Sequence, residues 1–184
     1  MKKRVFIFGI ILMIIGGIAY SYIVNYTEET VSQKSEYIPE AEITDEDLRK
    51  TIITLYFANS QTQKLESEGR LIDSKELLRE PYKVLIGMLI EGPKDSNLER
   101  LIPDNTKVIN TELKGSCLNI NLSKDFLEID DANPTKISNL IYSIVNTLTE
   151  LKEVSSVKFL VDSEECDKFL NCGIDIKAEF IRKE

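Results

Sequence analysis

The chain has 184 residues, 42% of them apolar, which is enough for one domain of ordinary size with appendages and too apolar for wholesale disorder. Its net charge of −8 works against binding to phosphate backbones, so nucleic acid is excluded as a partner. It has no histidine, which removes Ser-His-Asp and Cys-His catalysis and histidine-ligated metal sites.

The chain opens with a basic tip, Met1-Lys-Lys-Arg4, and then runs from Val5 to Val24 without a charge. Twenty helical residues at about 1.5 Å each span roughly the 30 Å hydrocarbon core of a bilayer. Tyr20 and Tyr22 close the run, as suits aromatic anchors at an interface. Residues 1–4 therefore read as a cytoplasmic tip and 5–24 as a single-pass membrane anchor, with everything beyond on the extracytoplasmic side of the cell membrane. The alternative is a cleaved signal peptide ending near Gly17-Ile18-Ala19. The apolar run continues past that site, which favours a retained anchor. No cysteine near the end of the run would carry a lipid. Residues 25–50 are polar and acidic, lack a sustained period, and read as a flexible stalk.

Residues 51–184 form the exported domain. Thr51–Phe57 is rich in β-branched and aromatic residues and predicts a first strand. Arg70–Asp73 is a weaker second one. Pro81 starts a helix whose apolar face is Val84, Leu85, Met88 and Leu89, and Gly92-Pro93 stops it. Ile102–Asn105 marks a turn. Two strands, 107–114 and 117–122, joined by Gly115-Ser116, predict a hairpin. A long helix follows over 133–151: Asn133 caps it, Pro134 occupies its first position, and Ile137, Leu140, Ile141, Ile144, Val145, Leu148 and Leu151 make one stripe at helical spacing. Ser156–Val161 switches to a strand, and the alternation of Ile174, Ile176, Ala178 and Phe180 predicts an edge strand. The fold class expected is α+β, a small mixed or antiparallel sheet with two helices packed on one face, preceded by a transmembrane helix.

Candidate chemistry is sparse. Cys117, Cys166 and Cys172 have no metal-binding spacing, and a Cys166–Cys172 disulfide stays open for an exported chain. Asp162, Glu164, Glu165 and Asp167 lack a calcium-loop spacing and read as a solvated loop. Glu128, Asp130 and Asp131 precede the long helix, where acids suit its positive end. No residue is assigned a catalytic role, and no cofactor or metal is expected.

The segments resemble the GerM domain family of spore-forming and other bacteria. The matching residues are Leu55-Tyr56-Phe57, Arg70, Gly92-Pro93, Leu101-Ile-Pro-Asp-Asn-Thr106, Leu118-Asn-Ile-Asn-Leu-Ser123 with Phe126, and Asn146-Thr-Leu-Thr149 ahead of the Val157–Val161 strand. The resemblance implies a compact domain similar to the ring-building motifs of trans-envelope assemblies. It also implies exported proteins linked to sporulation and germination, the namesake being a partner of the channel between mother cell and forespore. The family residues carried over, as structural or docking positions, are Arg70, Gly92, Pro93, Pro103, Asn121, Thr147 and Thr149. The bland reading of Gly92-Pro93 is a helix stop, and of Thr147 and Thr149 back-bonding or capping within the helix. Two departures stand out: the namesake has two such domains and a lipid anchor, and the family often carries Asp where this chain has Asn121.

The function expected is a non-enzymatic, membrane-anchored scaffold that meets envelope or sporulation-channel proteins, or further copies of itself, through a sheet edge. The alternative is a cell-wall glycan-binding module, with Tyr56, Phe57 and Tyr82 as sugar-stacking platforms in a chain that has no tryptophan.

Overall fold

A computed structural model describes residues 16–23, 49–129, 133–166, 169 and 174–183. The chain divides into two units, 1–42 and 43–184. In the first, residues 16–23 are helical. No helix among the described residues is long and apolar enough to cross a membrane. The rest of the expected anchor, the stalk up to residue 48, Cys172, and thus the Cys166–Cys172 pairing, lie outside the described residues.

The second unit contains seven strands and three α-helices among its described residues: β1 (Lys50–Asn59), β2 (Leu65–Asp73), α1 (Ser74–Arg79), α2 (Pro81–Glu91), β3 (Leu98–Glu99), β4 (Val108–Lys114), β5 (Cys117–Leu122), α3 (Pro134–Leu148), β6 (Ser156–Val161) and β7 (Glu179–Ile181). One sheet has the order β2-β1-β3 and is antiparallel; the other, β4-β5-β6-β7, is mixed. The parallel pair β5–β6 needs a crossover, and α3 supplies it. The expectation of a single sheet with both helices on one face is therefore corrected: there are two sheets, and α2 and α3 each touch strands of both.

The physical reason lies in α3. Asn133 caps it, its side chain accepting from the Lys136 N–H at 2.9 Å. Its apolar stripe is buried, as the spacing requires, but so is every position from Ser143 to Leu148. A one-sided helix covers one sheet. A helix buried around its C-terminal half has protein on both sides, and its polar Ser143, Asn146 and Thr147 add to the buried surface beyond the stripe.

The Thr147 hydroxyl accepts the backbone N–H of Tyr56 at 3.0 Å. That N–H points away from β2, so the Tyr56–Ser67 pair is a non-hydrogen-bonded one in the antiparallel ladder. With β3 on Ala58 and Asn59, this edge of β1 is occupied from Tyr56 to Asn59. The same alternation sends the N–H groups of Ser67, Gly69 and Leu71 outward from the far edge of β2, where no strand pairs among the described residues. On the outer face of this hairpin Ile52 and Leu71 are register partners, 74% and 60% exposed.

Three sequence readings need adjustment. β2 begins at Leu65 rather than Arg70, because its first half, Leu65-Glu-Ser-Glu-Gly69, is polar and held by pairing with β1 rather than by its own pattern. A short α1, capped by Asp73, went unread. The long helix ends at Leu148, with Thr149 at its C-cap. The 107–122 hairpin stands as expected, Gly115 (φ 64°) taking the positive φ that a two-residue turn demands.

Replacing Thr147 by Val keeps the size and removes the acceptor, leaving a partly buried N–H unpaired. The expected cost is about 1–3 kcal/mol, read as a lower urea midpoint with an unchanged slope.

Candidate functional site

A groove of about 640 Å³ lies between the β1–β2 turn, α3 and the C-terminal segment after β7. Tyr56 and Lys64 come from the hairpin, Asn139 and Tyr142 from α3, and Arg182 and Lys183 from the residues following β7. Asn139 Nδ2 donates to the Gln63 carbonyl at 2.8 Å, fixing the hairpin turn to the helix. At the other end Asn146 grips the backbone of Lys183 twice, donating to its carbonyl (2.9 Å) and accepting its N–H (3.1 Å). The Arg182 guanidinium pairs with Glu150 at 2.7 Å and stands 5.2 Å above the Tyr56 ring. The Tyr56 hydroxyl donates to the same carboxylate at 2.8 Å. Burial pushes the Tyr56 phenol up, and Glu150 adds to that. Burial also acts to raise Glu150, but the Tyr56 hydroxyl and Arg182 together hold it below the ordinary carboxylate range.

The seven residues singled out from the sequence do not converge on one site. Arg70 is buried; its Nε pairs with Glu68 at 2.6 Å, its Nη2 donates to the Gly92 carbonyl, and its guanidinium lies 5.6 Å from the Phe57 ring centroid. Glu68 in turn accepts the N–H groups of Lys94 (2.8 Å) and Asp95 (2.9 Å). Arg70 and Gly92 thus meet at a latch that ties β2 to the end of α2, with Pro93 between the two gripped backbone groups of Gly92 and Lys94. Gly92 has φ 95°, and a Cβ there would come 3.2 Å from that of Arg100, so the position calls for glycine. Pro103 lines a separate polar hollow of about 410 Å³ with Arg100, Asp104 and Lys136.

Asn121, on β5, exchanges two hydrogen bonds with Ser163: its Nδ2 donates to Oγ at 2.9 Å and its Oδ1 accepts the N–H at 2.8 Å. Those bonds brace a turn in which Asp162 and Ser163 both have positive φ. Only the amide of Asn121 uses its N–H donor here, which is what an Asp would lack. Thr149 back-bonds to Val145 at 2.8 Å, whereas Thr147 reaches across to β1. In the acidic loop Glu165 pairs with Lys158 at 2.8 Å. No group of three His, Cys, Asp or Glu among the described residues is placed to hold a metal ion. Of the proposed sugar platforms, Phe57 is corrected: it is 1% exposed on the inner face of β1 and no ligand reaches it.

The profile of the Germane family, described as sporulation and spore germination, matches residues 54–167. The chain belongs to this family. Among solved structures, a candidate lipoprotein from Clostridium perfringens superposes with a TM-score of 0.50 at 28% identity, over 76% of this chain and 92% of that one. The tandem GerMN domains of the sporulation protein GerM from Bacillus subtilis give 0.53 at 21% identity, over 66% of this chain and 42% of that one. No curated protein sequence matches.

Within this Germane domain the groove residues went largely unread in the sequence. Tyr142 sits one position beyond the apolar stripe of α3, and the only hint of Arg182-Lys183 was a basic pair closing an apolar strand in an acidic chain. Lys64 gave no signal at all.

The latch yields a pH prediction. Burial alone would raise Glu68, but the Asp95 and Lys94 N–H groups and Arg70 hold its carboxyl below the ordinary 4.5. Its contribution is complete above that value and is lost as pH falls through the lower folded-state one. Glu68→Gln should flatten this acid limb of a stability–pH profile. Arg70→Met, which strands the carboxylate, should cost about 3 kcal/mol at neutral pH.

Proposed function

We propose that the chain is a membrane-anchored, extracytoplasmic scaffold without enzymatic activity that docks onto envelope proteins of a sporulation or germination assembly. The observation that carries this reading is the far edge of β2. Its outward N–H groups at Ser67, Gly69 and Leu71 lie beside the exposed pair Ile52 and Leu71. An extended segment of a neighbouring protein can add there as a strand, taking backbone hydrogen bonds along the edge and apolar contact on the face. Gly69 leaves room for close approach, since a Cβ there would meet nothing nearer than Ile52 at 3.7 Å.

The family membership supports a role in sporulation or germination. The lipoprotein relative supports a position at the cell envelope. The exposed apolar side chains of the helical stretch 16–23, among them Ile18, Tyr20 and Tyr22, support an anchor there. The occupant argued for is a strand of a different envelope protein; a second copy of this chain is the outcome the test separates.

The test is affinity capture of tagged full-length protein from growing and sporulating cells after crosslinking, beside the variant Ile52→Lys/Leu71→Glu, whose opposite charges face each other across the strand pair. Both substitutions are at exposed positions and should change stability by no more than about 0.5 kcal/mol each. The expected result is a set of envelope proteins recovered during sporulation and lost in the variant. Recovery of the same set by both forms would refute this surface. Retention of the purified protein on peptidoglycan, with no protein captured at either stage, would instead favour the glycan-binding module.

A further inference from the structure

The groove over α3 has a property that the docking edge does not explain. Three cations line it, Lys64, Arg182 and Lys183, and no carboxylate does. In a chain with 31 acidic and 23 basic residues, a concavity of one positive sign runs against the composition. Such clefts focus the field and concentrate counter-ions. Lys64 and Lys183 have no carboxylate partner within salt-bridge distance among the described residues. The Lys183 ammonium stands 5.0 Å above the Tyr142 ring, a contact that orients it without neutralising its charge. Arg182 is largely offset by Glu150, so the two lysines supply most of the free charge.

The geometry also sets a length. Ser138, Tyr142 and Asn146 all line the groove from one face of α3, spaced by four residues. At about 1.5 Å per residue they span roughly 12 Å. Lys64 belongs to the Ser138–Asn139 end, where Asn139 holds the neighbouring Gln63 carbonyl. Lys183 belongs to the Asn146 end, where its backbone is gripped twice. Positive charge is therefore supplied from both ends of an elongated trough, and its volume of about 640 Å³ falls within the usual range for ligand sites. A neutral sugar would want a bare ring face, but a cation already covers one face of Tyr56 and of Tyr142.

We propose that this groove is a binding site for an extended polyanionic ligand, a chain bearing carboxylate or phosphate groups at intervals. The proposal does not rest on the β2 docking reading and uses different residues.

It is tested by calorimetric titration of the full-length protein, held in neutral detergent, with three probes: a hexaglutamate peptide, a short linear polyphosphate and neutral chitotetraose. The expected result is binding of at least one anionic probe that weakens as salt is raised, with no binding of chitotetraose. Which anion binds tells whether carboxylate or phosphate is the natural chemistry. Lys64→Gln/Lys183→Gln should weaken that binding at least tenfold without moving the thermal midpoint, since Asn146 grips the backbone of Lys183 and not its side chain. Lys158→Gln, outside the groove, should leave it unchanged. Absence of binding by both anions at low salt would overturn the proposal. So would equal binding of chitotetraose, or a double variant that binds as the parent does.

Discussion

One helix holds this domain together, and one hydroxyl on it closes part of the β1 edge. α3 is buried from Ser143 to Leu148 without a break, in contact with strands of both sheets and with α2. Its apolar stripe supplies the driving force, with Ile137, Leu140, Ile141 and Ile144 fully removed from water. Its polar residues supply register: Thr147 takes an N–H of β1, and Asn146 takes the backbone of the segment after β7. A buried polar group is costly unless paired, so these bonds fix where the helix sits along both elements.

The consequence is an asymmetric first sheet. One edge of β1 is closed by β3 and Thr147 over its last residues, while the far edge of β2 keeps its hydrogen-bonding groups outward. The Glu68–Arg70 pair holds β2 in place from its inner face by binding the loop that ends α2. A strand so fixed is a preorganised template, and preorganisation lowers the ordering cost of adding a partner strand. The same helix frames the cationic groove on another side, so two separate surfaces depend on its placement.

Much of this was legible in the sequence. The α3 stripe, its Asn133-Pro134 start, the Gly92 stop and the 107–122 hairpin all follow from local rules, because local backbone chemistry fixes them. The two-sheet arrangement was not legible. It depends on Asn146 and Thr147 being buried, and polar residues on a helix flank read as solvent-facing until a second sheet is seen against them. The first half of β2 was missed for a related reason: Glu66 and Glu68 break the apolar alternation, yet Glu68 is held there by partners more than twenty residues away. The motif residues are scattered through the latch, the hollow at Pro103, the turn after β6 and the helix end. The groove residues Lys64, Tyr142 and Lys183 carry no periodic or motif signal, since only the tertiary fold assembles them.

The β1 edge is closed from Tyr56 to Asn59, while the far edge of β2 is open. Residue-resolved amide exchange on the full-length protein tests this contrast most directly. The account predicts that the Tyr56 N–H exchanges only with global unfolding, while those of Ser67, Gly69 and Leu71 exchange through small local fluctuations, orders of magnitude faster. Fast exchange at Tyr56, or protection of the three β2 amides comparable to the core, would contradict it.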